Sequence, residues 1–281
     1  MIMQTCIVPS TPRLGITVSG TGPLVIFIHG MGGDRSTWHK QIDALQHAYT
    51  AVSVDLRGYG DSGDPLEPLN FKQDFTDDLV AVMDYFGVSK AHLVGLSMGG
   101  RVARTAALRV PQRVASVTLA NTSPGFDHLT PEQLDDFVAA RTQTLASGVF
   151  PPDFGRQQAN AMVGPNASVE AIRIAATAMG RLRLRNYLEV LKASTLQDRG
   201  DKLENIACPV LVITSDHDPV YPASVTGQLR ARIPGAHSVC LRDAGHLGNL
   251  EQPEAFNAAL LAFLGGLPPE AAATLPASEN N

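Results

Sequence analysis

The 281-residue chain has only three cysteines, Cys6, Cys208 and Cys240, and no Cys-x-x-Cys pair. An odd number without paired spacing supplies neither a disulfide frame nor a zinc site, so reduced, buried thiols are expected. A basic block is also missing. With 22 Lys and Arg against 27 Asp and Glu, the net charge is −5, and neither nucleic acid nor an anionic membrane surface is expected as partner. No apolar run reaches the roughly 20 residues of a membrane span. The opening MIMQTCIVPSTPR lacks the charged start and long apolar middle of a signal peptide. Charged residues make up 17% and hydrophobic ones 44%, which allows a sizeable core and excludes wholesale disorder. The length suits one large domain, or one domain with an insertion, in a soluble cytoplasmic protein. There is no internal repeat.

What the chain does have is a succession of short, β-branched apolar runs: LVIFI (24–28), AVSV (51–54), HLVGL (92–96), SVTLA (116–120), VLVIT (210–214) and SVCL (238–241). Most are apolar without alternation, as in strands covered on both faces. Amphipathic stretches near 36–47, 74–86, 98–109, 223–233 and 253–264 lie between them. This order predicts an α/β fold with a mostly parallel, doubly wound sheet. The alternation breaks once. From 123 to 204 there are helix-like pieces separated by FPPDFG and VGPNAS, which reads as a helical cap inserted into a core of residues 1–122 and 205–264. The tail, 265–281, is small, polar and Pro-containing and is expected to be disordered.

One stretch carries chemistry. In HLVGLSMGGRVA (92–103), Gly95-Leu96-Ser97-Met98-Gly99 is a G-x-S-x-G directly after a strand and directly before a helix. Such a turn holds a serine hydroxyl out above the sheet, and only small residues fit beside it. The competing role for Ser97 is to cap the helix that begins at Met98. A nucleophilic serine needs a base, and the base needs an orienting acid. Of the eight histidines, only His246 follows a late strand, in SVCLRDAGHLGNLEQPEAF, on the sheet edge where Ser97 lies. After the preceding strand, VLVITSDHDPVYP offers Asp218, with Asp216 as fallback. The chain order Ser, Asp, His is the one found with this kind of turn.

Two backbone donors for an oxyanion complete the set. One is the Met98 amide at a helix N-terminus. The other is Met31, in the glycine-rich FIHGMGGDRSTW (27–38). His29 reads as a residue that braces this loop. GMGGDR matches neither G-x-G-x-x-G nor a P-loop, which argues against a nucleotide.

With HGMGG (29–33), DLRGYGDS (55–62), GLSMGG (95–100), SDHDPVYP (215–222) and GHLGNLEQPEAF (245–256) in place, the chain resembles the α/β-hydrolase superfamily, and within it the 3-oxoadipate enol-lactonase and small carboxylesterase branch. The resemblance implies Ser97 as nucleophile, His246 as base, Asp218 as acid, Met31 and Met98 as oxyanion donors, and no metal or organic cofactor. It implies a structural part for Asp55 and Arg57. Ser215 stands where the family often has glycine. Members that carry the acid one strand earlier would need it at Asn121 or Thr122, which cannot be anionic. A serine at the turn excludes the aspartate-based dehalogenases and epoxide hydrolases. It leaves carbon–carbon bond hydrolases of the meta-cleavage type as the alternative, and a non-catalytic ligand binder behind them.

The implied substrate is a small-molecule ester or lactone. Trp38, Phe126, Phe137, Met162, Met179 and Tyr187 are expected to bind it, together with Phe150 and Phe154, although each could equally pack as cap core. Arg181, Arg183 and Arg185 alternate in GRLRLRN and offer either a carboxylate site or a solvated basic face. Oligomeric state is not legible.

Overall fold

The computed structural model describes residues 2–145 and 147–275. Eight strands form one sheet in the order β1-β2-β4-β3-β5-β6-β7-β8. They are β1 (Gln4–Val8), β2 (Leu14–Ser19), β3 (Leu24–Ile28), β4 (Thr50–Val54), β5 (Ala91–Leu96), β6 (Val114–Ala120), β7 (Val210–Ser215) and β8 (His237–Leu241). From β4 to β8 all neighbours are parallel. The β1–β2 hairpin joins antiparallel to β4. This hairpin is absent from the sequence reading, which assigns no strand before Leu24. Most of β1 is exposed, and β2 alternates Gly and Thr with its apolar residues, so neither forms a continuous apolar run.

The pleat sends alternate side chains to opposite faces. Ile26 and Ile28 pack with α2 (Phe71–Tyr85), α3 (Met98–Arg109) and α8 (Ala223–Ala231) on one side. Val25 and Phe27 pack with α1 (His39–Leu45) and α10 (Pro253–Gly265) on the other. Among the described residues, four α-helices lie between β6 and β7: α4 (Pro131–Thr142), α5 (Phe154–Met162), α6 (Val169–Gly180) and α7 (Leu184–Leu196). Their starts are locally encoded. Thr130 and Gln133 form a reciprocal capping box ahead of α4, with Pro131 in the first turn, and the Ser168 hydroxyl accepts the Ala171 N–H at the start of α6.

The helical segment is held down by ion pairs. Arg104, fully buried on α3, donates to Asp198 just beyond α7 at 2.7 Å and also to Asp201, while Arg101 reaches Asp198 at 2.9 Å. Burial pushes the Asp198 pKa up, but Arg104 and then Arg101 outweigh it and hold the carboxyl below the usual aspartate range. A lowered folded pKa means that the stabilisation is present above the unfolded value and is lost as pH falls through the folded one. Removing one member of a buried pair leaves an uncompensated charge, so Asp198→Asn should cost about 3–5 kcal/mol. Urea unfolding at neutral pH checks this, and the gap between variant and wild type should shrink in acid.

The tail departs from expectation. After α10 the chain turns back, Ala272 bridges Pro23, and Ala273 and Thr274 donate their amides to the carbonyls of Gly22 and Phe86 at 2.9 and 3.2 Å. Residues 272–274 are therefore pinned to the molecule by backbone bonds that composition does not reveal. Residues 276–281, the end of that expected disordered tail, lie outside the described residues. Among the described residues no helix is long and apolar enough to cross a membrane.

Candidate active site

Ser97 stands between β5 and α3 with φ +54° and ψ −118°, a region that L-residues rarely occupy and that costs of order 1–3 kcal/mol to hold. The turn is tight because its neighbours are glycines. A Cβ on Gly95 would sit 2.2 Å from the Gly99 carbonyl oxygen, and one on Gly99 would sit 2.2 Å from that of Ile28. The Ser97 side chain makes no capping bond to α3, so the capping role is not the one this serine plays.

His246 follows β8 and is 3% exposed. Its Nδ1 lies 3.0 and 3.1 Å from the two carboxylate oxygens of Asp218, which follows β7. An ionised carboxylate only accepts, so Nδ1 carries the proton and Nε2 is left as the basic nitrogen. Asp218 also accepts the amides of Val220 and Tyr221 on Oδ1, at 2.8 and 2.9 Å, and Nδ2 of Asn121 on Oδ2, at 3.0 Å. Burial raises its pKa. The bond and charge of His246, then the Tyr221 and Asn121 donors, overcome this and hold it below the usual aspartate range. Asp216 points elsewhere, accepting the Ala244 amide at 3.3 Å on the exposed side of the turn.

Asn121 is the residue that sequence reasoning set aside. It sits just past β6 at φ +43°, and its amide also reaches the Ser215 hydroxyl at 2.9 Å. It cannot supply a charge, but it positions the carboxylate that does. Ser215, which departs from the family's glycine, is thereby part of the support for Asp218.

The loop after β3 lies against the serine. A Cβ on Gly30 would come within 3.0 Å of Ser97 Cβ. His29 braces this loop, as expected: its Nε2 accepts the Leu56 amide at 3.1 Å, which leaves Nδ1 to donate to the Gly30 carbonyl at 2.7 Å. Burial drives its pKa down, against the Gly30 bond and the nearby carboxylates, so the ring is neutral. Met31 follows in this loop. Met98 opens α3, and its amide is among the four N–H groups that a helix leaves without an internal acceptor.

These residues open on one cavity of about 500 Å³ at the carboxyl edge of the sheet, under the four helices. Ser97, His246, Met31 and Met98 line it together with Phe126, Phe137, Phe154, Met162, Met179 and Tyr187. Phe150 stands behind Phe154, ring centres 4.5 Å apart, outside the cavity wall. Trp38 requires a correction, because it is fully buried between Phe27 and Phe256, at 5.1 and 5.9 Å, and takes no part in the cavity. The large indole is used as core filler under α1.

The alternating arginines require another. Arg181 pairs with Asp34 and Asp61, Arg183 with Asp64 and the Gly60 and Ser62 carbonyls, and Arg185 with Glu67. They strap the helical segment to the 55–67 loop and form neither a carboxylate site nor a free basic face. The cations that line the cavity are Arg101, paired with Asp198, and Arg141, stacked 3.3 Å over Phe137.

A further carboxylate lies beneath the histidine. Glu251, buried at the end of α9 (Gly248–Glu251), accepts the amides of Gly245 and Leu247, on either side of His246, at 2.9 and 3.0 Å. It also accepts the amide of Gly164, between α5 and α6, at 2.7 Å.

The chain matches the alpha/beta hydrolase fold family model over residues 23–253. It is 32% identical over 253 residues to the dihydrolipoyllysine-residue acetyltransferase component of the acetoin cleaving system of Cupriavidus necator. That alignment takes in 88% of this chain but spans only 65% of that protein. It is 31% identical over 249 residues to a proposed carbamate hydrolase, RutD, of Caulobacter sp. (strain K31), covering 86% of this chain and 90% of that one. Among solved structures, the enol-lactonase from Burkholderia xenovorans LB400 superposes with a TM-score of 0.75 at 26% identity, over 93% of this chain and 100% of that one.

Proposed function

Since the chain belongs to the alpha/beta hydrolase fold family, we propose that it cleaves a small carboxylic ester or lactone through an acyl-enzyme on Ser97. The observation that carries this is a buried His246–Asp218 pair, 3.0 Å apart, whose histidine lines the same cavity as a serine held at φ +54°. His246 Nε2 takes the hydroxyl proton as Ser97 attacks the carbonyl carbon. The negative oxygen is received by the amides of Met31 and Met98, the latter aided by the α3 dipole. The protonated imidazole then gives its proton to the departing alcohol or enolate, and water releases the acid by the reverse path. Asp218 keeps the required tautomer and stabilises the imidazolium.

The apolar wall, with Phe126, Phe137 and Met179, suits a short to medium acyl or aryl group. The resemblance to an enol-lactonase supports the lactone half of the reading, and RutD adds carbamates to the compounds worth testing. Hydrolysis of p-nitrophenyl esters from acetate to octanoate is expected to show a chain-length optimum set by the Phe126, Phe137 and Met179 wall. Release that rises steadily to octanoate would contradict the cavity as the acyl site. Absence of release together with absence of labelling by a fluorophosphonate would indicate a binder with an unactivated serine.

A further inference from the structure

Burying a carboxylate is unfavourable unless its oxygens are well bonded. Glu251 meets that condition with three backbone N–H groups, two from the residues flanking His246 and one from Gly164. The histidine's own amide donates to the Met162 carbonyl at 2.7 Å. The backbone around His246 is thus fixed on one side by Glu251 and on the other by the 162–164 turn of the helical layer. The two strands of chain touch so closely that no side chain fits between them. A Cβ on Gly245 would lie 2.3 Å from the Gly164 nitrogen, and one on Gly164 would lie 2.8 Å from the Gly245 nitrogen.

We propose that Glu251 is a positioning residue that clamps the His246 loop to the α5–α6 turn, so that the base is held in register only when the helical layer is seated. Neither Glu251 nor Gly164 lines the cavity, so neither touches a substrate held there. The link acts through the placement of the imidazole against Ser97. In Glu251→Gln one carboxylate oxygen becomes an N–H donor facing N–H donors, and at least one of the three bonds is lost. Gly164→Ala disturbs the same contact from the other end, 87 residues away in sequence from Glu251.

The inference rests on His246 being the base, and the experiment separates the two ideas. Labelling of Ser97 by a fluorophosphonate is followed in the full chain for wild type, His246→Ala, Glu251→Gln and Gly164→Ala, with thermal unfolding to establish that each is folded. Both clamp variants should lose about tenfold or more in maximal labelling rate, the scale on which small misplacements of a reacting group act. The half-saturating probe concentration should stay near the wild-type value, a split that a purely stabilising role would not produce. Wild-type rates in both clamp variants, with His246→Ala inert, would overturn the clamp alone. A loss confined to Glu251→Gln would overturn its link to the helical layer. Wild-type labelling of His246→Ala would remove the proposed base itself, and the clamp with it. Gly164→Ala keeps the test open if Glu251→Gln is insoluble.

Discussion

Ser97→Ala is expected to lower ester turnover by about 10⁴-fold or more, the range found when the nucleophile of a serine triad is deleted, and to leave the fold intact. The large catalytic loss follows from the chemistry, since the neighbouring Thr122 hydroxyl is committed to the Ser97 carbonyl at 2.6 Å and cannot replace the nucleophile. The small structural loss follows from the geometry. The serine side chain makes no capping bond, and alanine suffers the same backbone strain at φ +54° as serine does, so replacing one by the other neither adds nor relieves it. Steady-state hydrolysis of the best p-nitrophenyl ester, alongside thermal unfolding, makes the comparison. Activity near wild type in a folded variant would refute the nucleophile assignment.

The second large effect belongs to Asp218→Asn, for which a fall of about 10⁴-fold in kcat is expected, as when the acid of such a triad is made neutral. The bond pattern shows why the side chain cannot simply rotate to compensate. Oδ1 receives the Val220 and Tyr221 amides, so the asparagine carbonyl must remain there. The new NH₂ group then occupies the place of Oδ2, facing Nδ2 of Asn121 and Nδ1 of His246. Two donors confront it. The acceptor left near Nδ1 is then Oδ1, at 3.1 Å and already taking two amides, so the imidazole favours the tautomer that accepts on Nδ1 and carries its proton on Nε2, where it can no longer deprotonate Ser97. The variant should bind a fluorophosphonate but label slowly, and the downfield Nδ1–H proton resonance expected of wild type should be absent from it. Retention of wild-type kcat would move the acid role away from Asp218, with Asp216 the next residue to test.

Much of this site is readable because its signals are short-range. The turn around Ser97 declares itself within five residues, since a strand that must reverse into a helix around one hydroxyl leaves room only for glycine at Gly95 and Gly99. The core strands β3, β5 and β7 are equally plain, because a strand covered on both faces reads as a near-continuous apolar run. The loops after β7 and β8 then place Asp218 and His246 on the edge that carries Ser97, for a parallel sheet puts every such loop on one side.

Residues whose meaning lies in distant partners are another matter. Trp38 is an aromatic beside the oxyanion loop in the chain and a core residue in space, because Phe256 arrives from α10 to cover it. Arg181, Arg183 and Arg185 look like a solvated or ligand-binding face until the 55–67 loop brings them acids and carbonyls. The β1–β2 hairpin becomes part of the sheet only because β4 offers β2 an edge. Glu251 lies inside GHLGNLEQPEAF and Asn121 directly after β6, yet neither neighbourhood declares what the side chain bonds. Their roles arise when residues 97 positions apart, as with Asn121 and Asp218, or 87 apart, as with Gly164 and Glu251, are brought within hydrogen-bond reach. Local backbone geometry and burial leave a pattern in neighbouring residues, whereas a hydrogen bond closed across the fold leaves none until the chain has folded.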